Sequence, residues 1–116
     1  MLVDALTGSH RSEPTLREAI EQGERILIPS LVLYEWLRGP RFPQEVETQE
    51  ALFPRGEALA FGAEESALAA RLYRSVRRPR GREIDLAIAA HALVRGASLW
   101  TLNRPDFEDL PDLELW

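Results

Sequence analysis

The 116-residue chain contains no cysteine and no lysine. The first absence excludes disulfide frameworks, thiolate metal sites and cysteine nucleophiles. The second makes all 14 basic residues arginine. That usage reads as the mark of a GC-rich or thermophilic genome more than of function. Long apolar runs are missing too, and none approaches the roughly 20 residues a membrane span needs. The N-terminus is too short and too quickly polar for a signal peptide. A cytoplasmic location fits, with no membrane partner. Positive charge is in deficit, at a net −5. That excludes broad, non-specific coating of nucleic acid but leaves room for a local basic groove. Internal repeats, low-complexity tracts and linkers are also absent. What remains, 45% apolar and 28% charged, is the balance of a globular chain, expected to form a single domain over 1–116.

The pattern alternates short apolar runs with helical spacing. Leu2 to Leu6 is short and mostly apolar, and Arg25 to Ile28 reads as a strand apolar enough to be buried on both faces. Ala58 to Phe61, Leu99 to Leu102 and Leu113 to Trp116 read as further short strands. Helices are expected over Pro14–Gln22, from an N-cap at Ser30 to Arg38, and over Pro43–Leu52, Ala63–Val76 and Glu83–Arg95. Such alternation predicts an α/β fold, a parallel sheet flanked by helices.

The chemistry concentrates in the last third. Asp85 leads a small-residue helix. After a Gly turn and an apolar strand come Thr101, Asn103 and Asp106. A helix start and a strand end meet at one edge of a parallel sheet, where such folds bind ligands. Converging carboxylates repel each other, so the arrangement suggests a hard cation between them. Each acid also has an ordinary reading. Asp85 would merely complement the helix dipole, worth about 0.3–1 kcal/mol. Asp106, Asn103 and Thr101 would be turn formers. Glu35 falls one turn after Leu31 and Val32 on an apolar helix, so it either faces inward or sits half-exposed against Arg38. His91 reads as a packed or partly exposed histidine rather than a ligand. Arg71, Arg74, Arg77, Arg78, Arg80 and Arg82 are either a solvated helix end or a phosphate-contacting rim.

Three segments together resemble the PIN domain, and within it the VapC-type toxins. They are IPSLVLYEWLRG with Glu35, RRPRGREIDLAIAAHAL with Asp85, and TLNRPDFEDLPDLEL with Asp106. The resemblance spans roughly residues 2 to 115. It implies a PIN-like three-layer α/β fold and an Mg²⁺- or Mn²⁺-dependent endoribonuclease, the toxin of a bacterial toxin–antitoxin pair. Glu35, Asp85 and Asp106 would hold the metal, and Asn103 would orient a carboxylate or the water. Arg78, Arg80 and Arg82 would contact RNA. The implied partners are an RNA substrate, a cognate antitoxin and a second copy in a homodimer. The family's usual first strand ends in Asp-Thr/Ser-Ser/Asn, and no such tripeptide occurs here. Two readings follow. Either the chain begins after that acid, or Asp4, 31 positions before Glu35, is the metal ligand of a shortened version. The rival function is a catalytically impaired PIN-fold module that mainly binds its antitoxin or another protein.

Overall fold

A computed structural model describes residues 2–3, 18, 21–23, 25–101 and 103–116. Strand β1 (Leu2–Val3) pairs in parallel with β2 (Leu99–Trp100), Leu2 opposite Leu99 and Val3 opposite Trp100. Leu99 also forms a parallel bridge to Leu115, its N–H donating to Glu114 and its carbonyl accepting from Trp116. The centre of this sheet is therefore Leu99, fully buried. A second parallel bridge joins Pro29 to Leu59, and Leu59 N–H donates to Ile28 O at 2.8 Å. Parallel pairing between segments far apart in sequence needs crossover helices. The chain supplies them as α1 (Ser30–Leu37), α2 (Pro43–Leu52), α3 (Ala63–Ser75) and α4 (Glu83–Arg95).

Several boundaries differ from expectation, each for a physical reason. Ser30 is the first residue of α1, and Pro29 is its N-cap. Ser30 N–H is taken by Leu59 O at 2.8 Å, so the pairing sets where the helix starts. Among the described residues, Ala58–Phe61 and Leu113–Trp116 contribute single bridges rather than full strands, and Arg25–Ile28 contributes a bridge residue at Leu27. The strand expected to reach Leu102 ends at Trp100. Its chain turns immediately afterwards, as Asn103 N–H bonds Thr101 Oγ1 at 3.0 Å. The expected helix over Pro14–Gln22, and Asp4, fall largely or wholly outside the described residues.

The core packs α4 against α1, α3 and the sheet. Its residues include Ile28, Val32, Leu33, Leu72, Leu86, Ile88, Leu99 and Phe107. Ala89, Ala90 and Ala92 of α4 are fully buried, and their small side chains let neighbouring elements approach closely. Gly96 ends α4 in the left-handed region at φ 62°. Ala97 N–H reaches back to Ala92 O at 2.9 Å, the bond pattern that positive φ permits. That turn sends the chain straight into β2.

Candidate acidic site

Three acids named by the sequence come from three separate elements. Glu35 lies in the last turn of α1, Asp85 in the first turn of α4, and Asp106 in the 3₁₀ turn Arg104–Asp106 that follows β2. This turn is held by Asp106 N–H to Asn103 O at 3.0 Å. Phe107, 1% exposed, anchors it to the core directly behind Asp106. Asp85 is half-buried and Asp106 exposed, while the Glu35 side chain keeps 33% of its exposure.

Asp85 lies within electrostatic range of both other acids. Burial, then the charges of Asp106 and Glu35, push the Asp85 carboxyl above its ordinary value, and Arg82 only partly opposes them. An isolated helix-start acid would be favoured by the dipole instead. Among the described residues no three His, Cys, Asp or Glu side chains form a ready coordination group. The acids thus share an electrostatic field without closing on each other. Glu35 takes the half-exposed of its two sequence readings. It pairs weakly with Arg38 at 3.7 Å across an exposed i,i+3 step, and its charge is felt at Asp85.

The remaining sequence candidates separate. Asn103 is exposed beside the turn, and Thr101 is 4% exposed, its hydroxyl accepting the Asn103 N–H. Arg78 and Arg80 are exposed in the loop before α4. Arg82, grouped with them in the sequence, is engaged within the protein. Its guanidinium donates to Asp109 at 2.9 and 2.7 Å and to the Asp106 carbonyl at 2.9 Å. Asp109 was missed by sequence reasoning. It stands 27 positions from Arg82, and no local pattern announces such a pair. His91 is fully buried and pairs with Arg95, away from the acids.

A model of the family described as PIN domain matches residues 1–113. The chain is similar to Ribonuclease VapC19 of Mycobacterium tuberculosis, in strains CDC 1551 / Oshkosh and ATCC 25618 / H37Rv. Each is 35% identical over 114 residues, which span 97% of this chain and 90% of the relative. Among solved structures it resembles a chain in the crystal structure of VapBC2 from Rickettsia felis bound to a DNA fragment from their promoter. There the TM-score is 0.69 at 21% identity, over 100% of this chain and 98% of that one.

Proposed function

The chain belongs to the PIN-domain family, with its α/β fold, and from that premise we propose that it is a metal-dependent endoribonuclease, the toxin of a toxin–antitoxin pair. The observation that carries the reading is the Asp85 carboxyl, raised by burial and by two neighbouring acids. Nothing in the fold requires that repulsion, and a cation relieves it. The similar mycobacterial relatives are named ribonucleases.

The residues fit a hard divalent cation in donor chemistry. Glu35, Asp85 and Asp106 offer carboxylate oxygens and Asn103 an amide oxygen, the donors Mg²⁺ or Mn²⁺ prefer. Such an ion, when bound, lowers the pKa of a water and stabilises charge on the scissile phosphate. The chain's own residues do the rest. Glu35, Asp85 and Asp106 hold the site, and Asn103 orients a carboxylate or the attacking water. Exposed Arg78 and Arg80 draw the RNA backbone towards an otherwise repulsive acidic surface. Tyr34, Leu37 and Phe42 are exposed, Phe42 by 73%, and such apolar surface suits the binding of a protein partner such as an antitoxin. The same reading places the protein in the cytoplasm as a homodimer.

The test is cleavage of labelled RNA with Mn²⁺ or with a chelator. Cleavage should need the metal and disappear in Glu35→Gln. In a salt titration of RNA affinity, Arg78→Ala with Arg80→Ala should flatten the slope by about one to two counterions. RNA left intact under every metal condition, with a cognate antitoxin still bound, would replace the enzyme by the binding module.

A further inference from the structure

Arg82 occupies a position that α4 gives no reason for. It is the N-cap of the helix, where its side chain makes no capping bond and a cation opposes the dipole. Its side chain is only 19% exposed, so it is poorly presented to an external phosphate. Three of its N–H groups are engaged. Nη1 donates to Asp109 Oδ2 at 2.9 Å, and Nη2 donates to Asp109 Oδ1 at 2.7 Å and to the Asp106 carbonyl oxygen at 2.9 Å. This is a two-point fork on a carboxylate, the geometry that fixes a guanidinium most firmly.

The consequence is mechanical and electrostatic together. The helix start that carries Asp85 is tied to the turn that carries Asp106 through that residue's own carbonyl. Among the described residues, Arg82 donates to no carboxylate oxygen of Asp85 or Asp106, so it leaves their lone pairs open. Asp109 is what keeps it so. Without Asp109, the same guanidinium would be free to turn onto the neighbouring acids and compete with a cation for them.

We propose that Arg82 and Asp109 form a clamp that positions Asp106 against Asp85. Arg82 is then a positioning residue of the acidic site rather than an RNA contact. This rests on the metal-dependent reading of that site. Three measurements on the full chain test it, with Arg82→Gln, Asp109→Asn and the double variant: Mn²⁺ affinity by electron paramagnetic resonance, hydrogen exchange resolved at the Phe107 and Leu110 amides, and kcat and KM on RNA. Each single variant should weaken Mn²⁺ binding by about 10–100-fold and lower kcat with KM steady. Exchange at Phe107 and Leu110 should rise at least about 10-fold while the α3 amides stay unchanged. The double variant should be little worse than the poorer single one, since both act through one contact. The clamp is overturned if Asp109→Asn changes neither Mn²⁺ affinity nor local exchange while Arg82→Gln only raises KM, which would make Arg82 a phosphate contact. It is equally overturned if exchange rises across the whole molecule, which would make the pair a general stabiliser. Failure of the wild-type chain to cut RNA would sink the nuclease reading alone, because exchange reads the clamp whether or not RNA is cleaved.

Discussion

Helix α4 carries charge at both ends, and the two ends are built on opposite terms. At its start, burial and then the charges of Asp106 and Glu35 hold the Asp85 carboxyl above its ordinary value. At its end Arg95 donates to Glu65 Oε1 at 3.0 Å and to the His91 carbonyl at 3.1 Å. Glu65 Oε2 in turn accepts the Gly62 N–H at 3.1 Å, closing the start of α3. Backbone N–H donation and Arg95 hold the Glu65 carboxyl below its ordinary value. One end satisfies its charges internally; the other leaves them to be satisfied from outside. A cluster that costs stability and is retained is a better mark of chemistry than one that adds stability.

Removing charge from the two ends should therefore give opposite results. The largest effect belongs to Asp85→Asn. A carboxyl with a raised folded value contributes stability that is present in full below the ordinary carboxylate range. That contribution is lost as pH rises through the folded value. At neutral pH without metal the ionised acid is a burden, so the variant should melt a few degrees higher. RNA cleavage should fall at least about 100-fold. A metal-free melt that drops would mean the acid is structural. Glu65→Gln should do the reverse, losing about 1–2 kcal/mol with cleavage per folded molecule retained. Its depressed carboxyl contributes stability that is present above 4.5 and lost as pH falls through the lower folded value. The difference between variant and parent should accordingly shrink in acid, as urea titrations at two pH values would show.

The same contrast separates what the sequence could and could not reveal. Pro43–Leu52 and Glu83–Arg95 fall where helical spacing places them, because helices are closed by local bonds and local stop signals. Strand lengths were not legible. Leu99 is held by Leu2 on one side and Leu115 on the other, and no window around Leu99 contains those partners. That Asp85 would feel the charge of Asp106 was legible, since a helix start and a strand end share a sheet edge. Its supports were not. The Arg82–Asp109 fork and the Arg95–Glu65 pair join residues 27 and 30 positions apart. Glu65 lies in the first turn of α3, where an acid suits the dipole, and only packing shows that it also closes on the far end of α4.

His91 sharpens the comparison by a smaller effect, because it sits in the paired end yet is not fully satisfied. It is completely buried and tilted against Phe61 with ring centroids 5.9 Å apart. Arg95 Nη1 approaches its Nδ1 at 3.3 Å. A guanidinium can only donate, so Nδ1 accepts and Nε2 carries the proton. That Nε2 has no hydrogen-bond partner. Burial first, and the Arg95 charge second, hold the imidazole below its ordinary value, with Glu65 opposing. Because the folded ring resists protonation, stability is complete above 6.5 and declines as pH falls from there towards the folded value, while the unfolded ring takes up its proton. Chemical denaturation between about pH 7 and 5 should show that decline in the parent chain. His91→Phe should flatten it and, by removing a buried donor without a partner, shift neutral stability by no more than about 1 kcal/mol. An unchanged acid slope in the variant would move the origin of the decline away from this end of α4.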